Sequence, residues 1–472
     1  MATDELTLSS PAPRRNPRPD APPARARREP WAMTQVLICA GLFFASSDRF
    51  LALNFGALTL KPSYVFFAVA FGLVVTGFFI RPLRRTRPPL SGLVGSLAAL
   101  LAVNLLATAF TISRTLAVQQ IVTIVGGAIV PFACIALGVK TRVQLQRAMS
   151  ALVGGTLVAA TFGFYQFAAP YLNLSQGLAY TGTVGGVGRI TAWSYEPAFW
   201  VFHVELSLAI LIGDVLARRR RCGFRAEPLV LYLIASLVLA NARAGFLSFP
   251  LLVFLVLRTA GERRRIDRRA ARFLRLAVPA GAVIVLLGLP LGVNLPAYLV
   301  ARVQSVTNLQ EAESNAIRVV LYREELELVT ERPWLGYGPG TFGLLIKDRV
   351  PFYADADPHA IVANNLVLQS LLDAGVVSLP PTLWLIWAVY ANSRRSPSTD
   401  ARILLSGATA GLVINSMLAA FFWDMRLWVV IGLAYAAARV YHLERPAGVA
   451  RTQRSGPPIS SGRGSPAPAR SS

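Results

Sequence analysis

Six residues in this chain of 472 have the types and the spacing that chemistry needs: Arg189, Arg243, Arg318, Arg323, Glu196 and His359. A guanidinium stays charged at any working pH, and its planar fork of N–H donors matches two oxygens of a phosphate. Four arginines beside an apolar layer therefore point to an anionic ligand, with a diphosphate as the best fit. Each alone reads equally well as a solvated charge. Arg318 and Arg323 lie five residues apart on one helical stretch, about 140° around its axis. One of them then faces inward while the other meets Glu324, Glu327 or solvent.

Glu196 stands in Trp193-Ser194-Tyr195-Glu196-Pro197. Proline suits a first helical turn, so Glu196 faces the positive end of a helix dipole. Either it caps that helix, or it orients a sugar hydroxyl and takes its proton. Trp193, Tyr195, Trp200 and Trp334 read as interfacial belt residues or as stacking platforms. Arg243 lies in Asn241-Ala242-Arg243-Ala244-Gly245, inside the apolar stretch 229–257. Both flanks of that stretch are basic, which requires an even number of crossings and makes these residues a turn between two short helices. An ionisable group at that depth is costly unless paired or hydrated, so Arg243 is a functional candidate beside the plainer reading of a snorkelling side chain.

The glycine-rich stretches 182–188 and 336–340 superficially resemble phosphate cradles, but neither opens a helix after a strand. Tight turns are the better reading, with a backbone-amide nest as the alternative. Cys39 and Cys134 fall in apolar segments and Cys222 in a basic loop, so no disulfide is expected. His203, His359 and His442 lack metal-ligand spacing, and neither a metal nor a cofactor is expected.

The elements that must position these residues are membrane spans. The chain is 54% hydrophobic and 15% charged, yet its net charge is +23. Such a charge suggests nucleic acid, whereas repeated apolar runs of about 20 residues exclude a soluble globular fold. Apolar segments fall near 31–47, 62–80, 90–110, 118–138, 148–168, 197–216, 228–241, 244–257, 276–293, 365–391, 403–422 and 427–441. The breaks between them alternate between basic and poor in Lys and Arg. Because Lys and Arg stay on the cytoplasmic side of short loops, this alternation predicts twelve spans with both termini cytoplasmic. Most of the 47 Lys and Arg residues then lie in tails and cytoplasmic loops, so the charge is an orientation signal and nucleic acid is excluded as a partner. The fold class is an all-α polytopic membrane protein of about 12 transmembrane helices. Residues 1–30 and 443–472 read as disordered basic tails. Residues 31–442 form the transmembrane domain, with one large periplasmic loop, 294–364, between spans 9 and 10. A helix near 314–330 is expected in that loop.

This layout resembles the bacterial O-antigen ligase and O-antigen/exopolysaccharide polymerase superfamily. Arg318 through Trp334-Leu335-Gly336-Tyr337-Gly338-Pro339-Gly340-Thr341-Phe342 looks like its arginine helix and glycine turn. Asn364-Asn365-Leu366 through Asp373-Ala374-Gly375 looks like its "H-N-x-x-L-x-x-L-x-E-x-G", and Asn241-Ala242-Arg243-Ala244 is similar to its "S-R" turn. The resemblance implies a metal-independent, inverting, GT-C-like membrane glycosyltransferase of the bacterial inner membrane. Its donor would be an undecaprenyl-diphosphate-linked glycan and its acceptor a second glycan, with chain-length and export proteins as partners. Arg243 and Arg318 match arginines of the pattern, and Arg189 is the further match. Arg323, Trp334, Tyr337, Asn364 and Asn365 are substrate-binding candidates. Where the pattern has His before Asn, this chain has Asn364, which cannot be a general base; His359 and Glu196 are the substitutes. The Tyr195-Glu196-Pro197 element looks more like exopolysaccharide polymerases, so a polymerase is expected. A ligase moving a glycan to lipid A core or protein is the alternative. A transporter or flippase is the outside class.

Overall fold

The computed structural model describes residues 32–80 except 56–57, 90–177, 183–184, 187–259 except 218, 297, 300, 313–355, 361–416 except 364, and 423–444. The elements below all belong to one compact unit, Met33–Ser472; Met1–Ala32 is a unit by itself. The two expected disordered tails and the apolar segment 276–293 lie outside the described residues, apart from the end of the last helix.

Helices α1 (Met33–Phe43), α2 (Pro62–Ile80) and α3 (Leu93–Thr108) open the unit. Then α4 (Arg114–Ile124) runs through a five-residue π turn into α5 (Val130–Gly138). Next come α6 (Arg142–Ala168), α7 (Pro197–Ala217), α8 (Ala226–Ala240) and α9 (Arg243–Thr259). The later elements are α10 (Glu313–Glu331), α11 (Phe342–Lys347), α12 (Leu366–Ala374), α13 (Leu379–Arg395), α14 (Thr399–Ala410), which continues into a second π turn, Gly411–Asn415, and α15 (Met425–Glu444). Among the described residues, three two-stranded hairpins, such as Leu53–Phe55 against Leu58–Leu60, join helices and supply the few strands.

Side-chain caps mark several starts. Thr141 accepts the Gln144 N–H before α6, and Ser398 accepts the Ala401 N–H before α14. Every residue of α7 from Trp200 to Asp214 is buried, as is every residue of α15 from Met425 to Ala434, so these two helices form the bundle's interior. Outer helices keep apolar residues exposed, among them Val65, Val69 and Leu73 on α2 and Val118 and Val122 on α4. Water would penalise such faces, whereas lipid would not. Among the described residues, three helices, Arg114–Gly138, Arg142–Leu172 and Pro197–Ala217, are long and apolar enough to cross a membrane by length and composition. Met33–Phe43, Pro62–Gly77, Leu93–Thr108 and Ala226–Ala240 are shorter apolar helices.

The expected single span 365–391 is not continuous. It breaks at Gly375, whose φ of +67° leaves the helical region, into α12 and α13. A Cβ at Gly375 would lie 2.1 Å from the Trp334 carbonyl oxygen, so the break is where the loop segment crosses the chain. A second, small core forms there. Leu321 and Leu328 of α10 pack with Tyr337, Phe342, Ile346, Val350 and Leu372, beneath a set of ion pairs that ties Arg349 to Glu324 and Glu331.

Candidate functional site

Glu196 immediately precedes α7 and is exposed, although the protein around it still desolvates its carboxyl. Burial pushes its carboxyl above the ordinary 4.5, and the charges that oppose the rise are Arg318, Arg189 and Arg49. Charges from three distant parts of the chain thus act on one carboxylate. Tyr353 feels two of these groups: burial and then Glu196 push its hydroxyl up, while Arg318 pulls it back. Tyr322 is likewise raised by burial beside Arg318 and Glu325.

Two of the contacts of Arg49 tie it to the segment before α7. Its backbone N–H donates to the Trp193 carbonyl at 3.2 Å, and its guanidinium lies 4.4 Å from the centre of the Tyr195 ring. Beneath it lies a buried ion network. Asp48 accepts from Lys61 at 2.6 Å, from Arg426 and from the Tyr195 N–H at 3.2 Å, while Arg426 also binds Asp424 at 2.6 Å. Burial alone would raise the Asp48 carboxyl. The Arg426 and Lys61 charges outweigh it and hold the group below the usual carboxylate range. Arg49, Asp48, Lys61, Asp424 and Arg426 escape sequence reasoning because each looks like an ordinary loop or interface charge.

Arg189 follows the short hairpin that ends at Gly188. Gln166 of α6, fully buried, fixes the backbone just beyond it. Its Oε1 accepts the N–H groups of Thr191 at 3.2 Å and Ala192 at 2.8 Å, and its Nε2 donates to the Ala192 carbonyl at 3.2 Å. The neighbouring Ile190 N–H reaches the Leu239 carbonyl at 3.5 Å, which ties this loop to the end of α8. There Asn241 adopts φ +53° and closes the helix, and α9 restarts at Arg243, which is partly buried. The turn expected at 241–245 is therefore present, two residues long.

On α10 the two arginines part. Arg318 acts on Glu196, whereas Arg323 is exposed and pairs with Glu327 at 3.1 Å. The glycine turn after α10 is a tight turn: Gly336, Gly338 and Gly340 have φ of +62°, +100° and +73°. Three of its amides are committed to the protein. The Tyr337 N–H donates to the Leu372 carbonyl at 2.7 Å, Gly338 to the Asp373 carbonyl at 3.1 Å, and Gly340 to Asp373 Oδ1 at 3.3 Å. The nest alternative fails there for that reason. The Tyr337 hydroxyl donates to Glu331 at 2.7 Å, and Asn365 caps α12 by accepting from Val367 and Leu368, so both have structural work. Trp334 is 72% exposed. Trp193 and Trp200 are buried, Trp193 stacked on Phe50 and Trp200 donating to Ser236, so neither is a belt residue or a platform. His359 and Asn364 lie outside the described residues.

The arrangement is a helical bundle with apolar faces turned outward, that of an integral membrane protein, with the charges of Arg49, Arg189 and Arg318 acting on Glu196 at the start of α7. Residues 228–379, from the start of α8 to the start of α13, match the family model described as O-antigen ligase. That match, which covers less than half of the chain, supports a relationship of this segment to the O-antigen ligase and polymerase superfamily, whose members are associated with glycosyl transfer. Arg243 and Arg318 fall inside the matched segment, whereas Glu196, Arg189 and Arg49 precede it. No curated protein matches the sequence.

Proposed function

We propose that this chain is a polymerase that joins undecaprenyl-diphosphate-linked oligosaccharide repeat units on the periplasmic face of the inner membrane. The single observation that carries the reading is the Glu196 carboxyl under the charges of Arg49, Arg189 and Arg318. The arginines hold the diphosphate and take up the charge that grows on it as the anomeric C–O bond breaks. Glu196, in its ionised form, accepts the proton of the acceptor hydroxyl as that oxygen attacks the same carbon from the opposite face. The products are the lengthened glycan and free undecaprenyl diphosphate, with inversion at the anomeric carbon. Arg243, at the α8–α9 turn, supplies a further diphosphate contact. The frame for this site is twelve spans, GT-C-like, with both termini cytoplasmic.

The match to the O-antigen ligase family model favours one second reading, a ligase that transfers a finished glycan. Deleting the gene separates the two. Loss of a polymerase leaves single repeat units on carrier or acceptor, whereas loss of a ligase leaves full-length chains on the lipid carrier. Arg318→Ala is expected to abolish high-molecular-weight glycan while the protein still inserts. Wild-type chain lengths from that variant would overturn the site.

A further inference from the structure

Deep in the bundle, three helices meet around one carboxylic acid. Glu205 of α7 is 2% exposed, and its partners come from α9 and from the π turn that follows α14. Asn415 Nδ2 donates to Glu205 Oε2 at 2.9 Å. Ser248 Oγ is in hydrogen-bond contact with Glu205 Oε1 and lies 2.8 Å from the Ala244 carbonyl oxygen. Ser248 and Asn415 are both fully buried.

The helices can meet here because of two glycines. A Cβ at Gly245 would lie 2.6 Å from Val201, and one at Gly411 would lie 2.2 Å from the Phe202 ring. The π turn then brings Asn415 round to Glu205. A π turn inserts one residue into the helical ladder and is frequent at functional sites.

Hydrogen counting decides what Glu205 does. A serine hydroxyl has one hydrogen, and here two oxygens, of Ala244 and of Glu205, stand ready to accept it. Both contacts of the Ser248 hydroxyl are satisfied when the acid supplies the second hydrogen. Glu205 Oε1–H then donates to Ser248 Oγ, Ser248 donates to the Ala244 carbonyl, and Asn415 donates to Oε2. A fully buried ion without a countercharge would cost far more than this neutral bridge.

Ala244 follows Arg243, and Ser248 lies just over one turn further along α9. We infer that Glu205 is a positioning residue for Arg243: a neutral hydrogen-bond bridge that locks the first turns of α9 against α7 and α14 and so sets where the Arg243 guanidinium stands. This rests on the reading of Arg243 as a diphosphate ligand.

The bridge predicts that an amide can replace the acid. In Glu205→Gln the side-chain oxygen accepts from Asn415 and the NH2 donates to Ser248. Glycan synthesis from lipid-linked repeat units should stay within about threefold of the parent, because the geometry is kept. Glu205→Ala should lower the rate by about 100-fold, since misplacing a group by about 1 Å has that effect. Glu205→Asp, one methylene too short to reach both partners, should fall between them and serves if Glu205→Ala fails to insert.

Because the effect runs through Arg243, it should not add to damage there. In an Arg243→Lys background, Glu205→Ala or Glu205→Asp should cost little beyond Arg243→Lys alone. An inserted but inactive Glu205→Gln would show that charge is required and overturn the bridge. Losses that add fully to Arg243→Lys, or a fully active Glu205→Ala, would overturn it equally. A fully active Arg243→Ala would instead overturn the underlying site reading.

Discussion

Asp48 and Tyr195 stand 147 residues apart in the chain, yet the Tyr195 N–H donates to the Asp48 carboxylate at 3.2 Å. The residue after each of them, Arg49 and Glu196, belongs to the candidate site. The buried ion network around Asp48 is therefore the anchor that brings an arginine from the α1–α2 loop to a glutamate at the start of α7.

Asp48→Ala removes the carboxylate that Lys61 and Arg426 share, and Arg426 is 1% exposed. Breaking one side of a buried pair costs about 3–5 kcal/mol, much of it from the charge left behind. The variant should melt well below the parent in detergent and lose activity. Equal melting temperatures would show that the network does not stabilise the fold.

The same network has a pH signature. The Asp48 carboxyl is held below its ordinary 3.8, because Arg426 and Lys61 outweigh a burial that by itself would raise it. A carboxylate lowered on folding adds stability that is present above its unfolded value and lost as pH falls through its folded value. The difference in melting temperature between parent and Asp48→Asn should be largest above about pH 4 and shrink on acidification. A difference that stays constant down to about pH 2 would contradict the pairing.

Glu196 shows the opposite sign. Its carboxyl is raised above 4.5 by burial, against the pull of Arg318, Arg189 and Arg49. A raised acid keeps its proton to higher pH, so the ionised form that accepts a proton is reached only above the ordinary value. The rate profile should carry an acid limb above 4.5. Glu196→Gln should lower the rate and remove that limb. Replacing Arg318 by Lys should move the limb less than Arg318→Ala does, because lysine keeps the charge. A limb unaffected by Glu196→Gln would assign the proton transfer elsewhere.

The two arginines of α10 should behave differently. Arg318 acts on Glu196, whereas Arg323 is 80% exposed and bound to Glu327. Arg318→Ala should reduce glycan synthesis by at least about 100-fold, the typical effect of losing a group that stabilises developing charge. Arg323→Ala should leave synthesis within about twofold, since an exposed i,i+4 pair contributes less than about 0.5 kcal/mol. Comparable losses from both would mean that α10 presents a broader surface to the substrate.

Gly338→Ala tests the turn that seats α10 against the bundle. Gly338 has φ +100°, and a Cβ there would lie 2.2 Å from Thr111 Oγ1. Thr111 is backbone-anchored through Ser113, at 3.2 Å, and its own Cα would be only 2.8 Å away, so relief requires moving the chain. The left-handed backbone alone costs about 1–2 kcal/mol for a residue with a Cβ. Loss of activity with a lowered melting temperature is expected, and a parental melting temperature would show that the turn is not strained by the substitution.

By itself the sequence determined what local physics decides. Apolar runs placed the helices, and the break at 241–243 followed from two basic flanks that require an even number of crossings. Ser314–Thr330 was within one residue of α10 at either end, because periodicity and the turn residues that follow it are local signals. Arg318 and Glu196 stood out because guanidinium and carboxylate chemistry is visible in residue type. Only the tertiary structure decided which charges share a space. Arg49 lies over Tyr195 and Trp193 stacks on Phe50 through contacts between segments more than a hundred residues apart, and Trp200 turns inward to Ser236 of the next helix, contacts for which neighbouring residues carry no pattern. The broken helix at Gly375 belongs to the same class. Its apolar run reads as one span, and the chain bends there at a glycine whose backbone lies too close to the Trp334 carbonyl to carry a Cβ.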